Sequence, residues 1–219
     1  MASTIQVDKI QDTGGNTILS SNSTGTFTYE AASGANFTAL DADNVSAGTL
    51  AAARGGTGTT SYTSGVTEYD QWRTTTETAG SQTPVDNWAR VADASFEKIG
   101  TGMSESSGVF TFPSTGKWWI ATFVMISKNG DSRYNDWQIQ HSGNSGVSWD
   151  STIYCSQLVQ QTNSAGGMGS MSGNQLMDIT DASTARLRAT FGDGGNSTTL
   201  VGASATTNVS IAFMRIGDT

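Results

Sequence analysis

His141 is the sole histidine among 219 residues. A Ser-His-Asp relay would have to run through it. It closes an alternating stretch on the same side as Trp137 and Ile139, and serine is so abundant that a nearby hydroxyl means little. It reads as a loop-edge histidine with one hydrogen bond. Asp178, Asp181 and Asp193 are the acids a glycosidase pair would draw on, but they fall in stretches that read as turns, where aspartate serves the backbone. Asp193-Gly-Gly-Asn196 and Asn129-Gly-Asp131 offer oxygens to a calcium ion, without the dense ligand spacing of a calcium loop. Cys155 is the only cysteine, which excludes a disulfide framework within the chain and a cysteine zinc site. It reads as a small apolar strand residue. The expectation is a non-enzyme with no catalytic, metal or cofactor residues, loop-bound calcium being the one ion with candidate ligands. The aromatics Tyr134, Trp137, Trp149 and Tyr154 gather around one expected hairpin. They suit either surface recognition, since Trp and Tyr supply contact area and stack on sugar rings, or packing of a sandwich or subunit interface.

The elements that must position these groups centre on Gly108–Ser127. Pro113 and Gly116 divide it into a short strand, a turn and a longer strand. The longer strand offers Trp119, Ala121, Phe123 and Met125 on one side. Trp118, Ile120, Val124 and Ile126 lie on the other, with only Thr122 polar. Successive side chains of a strand point to opposite faces, so a strand apolar on both must be covered on both. One cover is a facing sheet; the expectation assigns it to the Trp119 side. The second would be a loop or a neighbouring subunit, over the Trp118 side. A membrane span would need ~18 uncharged apolar residues, and Lys117 and Lys128 close the run well short of that.

Composition narrows the class. A net charge of -8 with 11 Lys and Arg lacks the basic footprint of a nucleic-acid partner. Met1–Ile10 has no apolar core before a small-residue cleavage site, so no leader is expected. Within Met1–Ser20, Ile5 and Val7 alternate with polar residues. Gly14-Gly15-Asn16 signals a turn, with Thr17-Ile18-Leu19 pairing back. Such a hairpin is marginal alone, and reads as a docking element or a frayed tail. Residues 21–65 are rich in Ser, Thr, Gly, Asn and Ala. Leu40, Val45 and Leu50 recur at intervals of five, which is neither the helix nor the strand period. They fit a slender three-chain stem returning one apolar side chain per turn to an axis, or a flexible linker. Arg54–Thr60 is glycine-rich but lacks the ending of a phosphate loop, and reads as a hinge.

From Val66 onward, strands are expected at 66–77, within 87–99, at 108–127, 136–141, 147–149, 153–160, 175–179, 185–191 and 209–216. Ser142–Gly146 reads as a hairpin loop and Asn163–Gly173 as a glycine-rich loop. No convincing amphipathic helix is evident. Many short strands with glycine turns indicate an all-β sandwich or barrel.

Phe96-Glu-Lys-Ile99, Gly108-Val-Phe-Thr-Phe-Pro-Ser-Thr-Gly116 with its aromatic run, and the closing Asn208–Asp218 resemble the jelly roll shared by complement globular heads and tumour necrosis factors (TNF). The chain departs from the family at Asp181-Ala-Ser, where a glycine turn is expected, and at Ile211-Ala-Phe213, which lacks the final-strand glycine. The resemblance implies an antiparallel jelly-roll knob over 66–219, with inner sheets packed around a three-fold axis. On it, Trp118, Trp119, Ile120, Phe123, Val124, Ile126, Ile211 and Phe213 serve as trimer interface or core.

The front half is similar to bacteriophage fibre proteins, those of marine phages among them. The similarity rests on Gln6-Val-Asp-Lys-Ile-Gln-Asp12 and Ser46-Ala-Gly-Thr-Leu-Ala-Ala-Ala-Arg-Gly-Gly-Thr-Gly-Thr-Thr60. It implies a homotrimeric virion protein, assembled in the host cytoplasm. Residues 1–20 (through Ile5, Val7, Ile10, Ile18 and Leu19) would attach to a tail or capsid protein. Residues 21–65 would form the stem, with Leu40, Val45 and Leu50 at its axis. The knob would meet a host cell-surface polysaccharide or protein through Tyr134, Trp137, Trp149 and Tyr154. A tail fibre is the first reading, a head fibre or decoration protein the alternative, and a polysaccharide depolymerase a third. No nucleic acid and no membrane insertion are expected.

Overall fold

The computed structural model describes residues 9–21, 27–29, 65–94, 96–161, 166–195 and 197–219. Ile5, Val7, Leu40, Val45, Leu50 and Asn196 lie outside them. The chain divides into two units, Met1–Tyr62 and Thr63–Thr219.

In the first unit, β1 (Lys9–Gln11), β2 (Thr17–Ser21) and β3 (Phe27–Tyr29) form an antiparallel sheet in that order. The Asp12 carboxylate builds the β1–β2 turn by accepting the backbone N–H of Gly14 and of Asn16 (2.9 and 2.8 Å). The Asn16 side chain and backbone hold its pKa below the usual aspartate value. Gly15 takes the positive φ of 81° that the turn requires. Ile10 is exposed. Ile18 and Leu19 lie in β2. The third strand has no counterpart in the sequence expectation.

The second unit contains β4 (Glu68–Thr74), β5 (Thr78–Ala79), β6 (Trp88–Arg90), β7 (Ser104–Ser106), β8 (Val109–Thr111) and β9 (Gly116–Lys128). It continues with β10 (Ser132–Ser142), β11 (Asp150–Val159), β12 (Gly167–Ile179), β13 (Arg186–Gly192), β14 (Thr199–Leu200) and β15 (Val209–Gly217). Two antiparallel sheets result. One runs β11-β10-β13-β8-β7. The other runs β5-β14-β9-β15-β4-β6, with β12 on the remaining side of β9. No helix occurs among the described residues.

The core between the sheets corrects the facing of β9. Trp118, Ile120, Val124 and Ile126 point inward with Thr122 and are buried. They pack with Phe110, Phe112, Trp137, Leu187, Phe191, Ile211 and Phe213 of the same chain. The Trp118 side is thus covered by its own polypeptide, and the Trp119 side faces out. Aromatic rings interlock here, Phe112 meeting Trp118 edge-on with centroids 5.4 Å apart and Phe110 tilted against Phe213 at 5.2 Å. Thr122 loses its water but donates its hydroxyl hydrogen to the Ser210 carbonyl (2.9 Å).

Trp137 is a second correction. It is buried opposite Phe191 on β13, with its ring 6.3 Å from that of Trp88, and so is not a surface aromatic. A third concerns Asn163–Gly173. From Gly167 it is strand, not loop, because Gly173 lets β11 approach closely. A Cβ there would stand 2.5 Å from Ile153 Cγ2 and 3.0 Å from Cys155 Sγ. Cys155 is half-buried in β11, and its thiol donates to the Ser172 carbonyl (3.2 Å).

A buried polar knot ties β4 to β6 and to the segment before β7. Asp70, 1% exposed, accepts from Arg90 Nε (2.9 Å), Trp72 Nε1 (2.9 Å) and the Met103 amide (2.8 Å). Arg90 also donates to the Met103 carbonyl (2.6 Å) and lies over the Trp72 ring. Asp70→Ala should therefore lower stability by about 2 kcal/mol or more, because it strands a guanidinium, an indole N–H and an amide. Chemical denaturation reads this directly, and an unchanged midpoint would mean the knot contributes nothing.

Candidate functional site

Two outward faces of the sandwich carry the candidate groups. The first belongs to the sheet containing β9. Registers across β4, β15, β9 and β12 place Tyr69, Met214, Trp119 and Leu176 side by side in one transverse row. Leu176 is 51% exposed and Trp119 half-buried. The next row is Gln71, Ala212, Ala121 and Asn174. The row after it is Arg73, Ser210, Phe123 and Ser172, with Phe123 39% exposed. Phe96 packs on Tyr69 at 5.9 Å between centroids. Lys117 and Asp178 form an ion pair at one margin (3.5 Å). Arg73 and Asp93 form another (2.8 Å), which holds Asp93 below the ordinary carboxylate pKa. Only the first row is apolar throughout, the other two being mixed, with Arg73 and Ser210 buried in the protomer; an apolar row with charged margins is the composition of an interface patch.

The second face is that of β10, β11 and β13. Asp136, Gln138 and Gln140 point outward along β10, Tyr154 stands opposite Gln138 on β11, and Arg188 stands opposite Gln140 on β13. Tyr134 and Tyr154 are about half exposed and share a hydrogen bond between their hydroxyls. That bond pushes the Tyr154 pKa up to about 12. Trp149 is half-buried beneath the Arg188 guanidinium, 4.3 Å from ring centroid to Cζ.

The acids singled out in the sequence serve the backbone or the margins. Asp181 accepts from the Ser183 N–H (2.9 Å), Ser183 Oγ (2.6 Å) and Thr184 Oγ1 (2.9 Å), which lowers its pKa. Asp193 is buried and accepts from Ser81 Oγ (2.7 Å), the Gly195 N–H (3.0 Å) and the Ser197 N–H (2.7 Å). Asp131 accepts from the Gln161 N–H (2.8 Å), and Asn129 Oδ1 from the Gln161 side chain (3.4 Å). Among the described residues no three His, Cys, Asp or Glu side chains gather as a metal site.

His141 faces a cavity of about 80 Å³ that Asp178 and Asp181 also line, and its Nε2 is buried without a partner among the described residues. Burial lowers its pKa from 6.5, while Asp150, opposite it on β11, pulls the other way. The folded state then binds the proton less readily than the unfolded chain. The stability contributed by neutral His141 is complete above pH ~6.5 and is lost as pH falls through the folded pKa. Melting temperature should decline as pH falls below ~6.5, and His141→Gln should flatten that decline. An equal slope in both proteins would refute it.

With the geometry in view, solved structures provide the comparison. The Eiger TNF of S. frugiperda matches with a TM-score of 0.52 at 13% identity, over 69% of this chain and 93% of that one. The chain carries a jelly roll of the tumour necrosis factor type. A crystal structure of murine APRIL matches this TNF-like jelly roll with a TM-score of 0.51 at 10% identity, over 68% of this chain and 98% of that one. No protein-family model and no curated protein matches the chain. At these identities the likeness concerns the fold. The expected jelly roll over the C-terminal part is therefore present. Sequence reasoning did not find the outward row on the Trp119 side or the Asp136-Gln138-Gln140 strip. Their signals were the parity of β9 and the polar alternation of 136–140.

Proposed function

We propose that this chain is a homotrimeric structural fibre protein of a bacteriophage particle. Its first 20 residues attach to the particle, residues 21–65 form the stem, and the TNF-like jelly roll is the distal, host-recognising knob. The observation that carries the reading is the transverse row Tyr69, Met214, Trp119 and Leu176, an apolar strip four strands wide that the described residues leave half-buried to exposed. The fibre-like front half supports it, as does the TNF-like fold. The occupant is two further copies of the same chain, each using this face. Sedimentation equilibrium of the full chain should give about three times the 22.8 kDa of one copy; a stable monomer at micromolar concentration refutes the proposal. Antibody labelling of purified particles should mark the tail, and labelling confined to the capsid would make the protein a head fibre.

A further inference from the structure

The outward strip of β10 is pre-arranged for a ligand that both donates and accepts hydrogen bonds. Arg188 Nε donates to Gln140 Oε1 (2.8 Å), Gln140 Nε2 to Gln138 Oε1 (3.3 Å), and Gln138 Nε2 to Asp136 Oδ2 (3.0 Å). Each link fixes the next. The two amides are held flat in one line, with one N–H apiece still free of this chain of bonds. Gly192 makes room for the line to end at Asp136, since a Cβ there would stand 2.2 Å from the Asp136 carboxylate. Aromatic rings flank the line: the joined Tyr134 and Tyr154 beside Asp136 and Gln138, and Trp149 under Arg188 at the far end. From Asp136 to Gln140 the strip spans about 14 Å at ~3.4 Å per residue, the length of a short oligosaccharide.

We propose that this strip binds a neutral carbohydrate chain, with the Gln138 and Gln140 amides and Asp136 pairing with sugar hydroxyls and the Tyr154 and Tyr134 rings lying against sugar C–H faces. The proposal rests on reading the jelly roll as a host-recognising knob, and names the ligand class of that knob. The chemistry favours sugar over protein. A protein hot spot has an apolar centre sealed by a polar rim, whereas here a polar line of amides runs through the patch, with Tyr154 beside its middle at Gln138 and Trp149 under Arg188 at one end. Asp136 at one end of the line and Arg188 at the other leave the line without a net charge of its own, and the chain's net charge of -8 disfavours polyanions, which leaves the neutral class. Immobilised amides lose little conformational freedom on binding, and this raises affinity without added contact area.

The test uses the full chain and four soluble polysaccharides: dextran, mannan, soluble starch and, as the acidic comparison, polygalacturonate. The readouts are retardation in affinity electrophoresis and quenching of tryptophan fluorescence. At least one neutral polymer should retard the protein. Tyr154→Ala and Gln138→Ala should each weaken that binding about tenfold, equivalent to ~1.4 kcal/mol, with circular dichroism and sedimentation unchanged. Retardation by none of the polymers, by polygalacturonate alone, or undiminished in both variants overturns the proposal. So does adsorption to bacterial cells that survives periodate oxidation of their surface sugars yet is lost in Tyr154→Ala, which would assign the strip to a protein. Failure here leaves the threefold mass untouched, so it is distinguishable from failure of the fibre reading.

Discussion

Trp118→Ala should cost the jelly roll about 3–5 kcal/mol, the range for removing a fully enclosed large aromatic. Trp118 is 1% exposed, touches Phe112 edge-on, and donates its indole N–H to the Ser114 carbonyl (3.3 Å). The void lies among Phe112, just past β8, and Ile120 and Phe213 of the β9 sheet, buried side chains with little room to close on it. At roughly 3 °C per kcal/mol for a domain of this size, the melting temperature should fall by about 10 °C. Trp118→Phe should recover part of the loss, which a purely surface role would not produce. A variant melting within a degree or two of the parent would show that the indole is not enclosed by its own chain.

Trp119→Glu should do the opposite, one residue away. Its side chain lies in the row with Met214 and Leu176, outside the protomer core. The protomer should fold with near-native stability. Three copies closing over this face would each bury a carboxylate without a partner, at several kcal/mol apiece. The sedimenting mass should drop from threefold to single at micromolar concentration, and the melting temperature should lose its dependence on concentration. An intact threefold assembly would place the contact elsewhere. If Trp118→Ala and Trp119→Glu gave the same loss, the two sides of β9 would not differ as described.

The difference between these neighbours marks the limit of what the sequence could say. Alternation along 118–126 reveals two apolar sides, because side chains alternate whatever lies above or below. Which side is inward depends on where the second sheet lands, and Trp118 and Trp119 carry equal apolar weight. At Asp136–His141 the alternation was more informative, since only the side of Trp137 and Ile139 is apolar while Asp136, Gln138 and Gln140 make the other polar. The span 167–173 hid a strand because small residues imitate a loop; Gly173 is there for the approach of β11. The Asp70 knot was invisible for another reason, since its members lie up to 33 residues apart and meet only after the sheets form. The jelly roll itself was legible, carried by the Gly108–Gly116 turn and the aromatic strand behind it.

The two sheets stand back to back, so the Trp119 row and the Gln138 strip point in opposite directions. A ring that closes on the first therefore displays the second three times around its rim. Three weak grips on one repetitive polymer act at a local concentration set by their spacing, and can hold 10²–10⁴-fold more tightly than one. Millimolar affinity at each patch would then suffice for firm retention on a decorated surface. An isolated protomer, with its patch intact, would let go.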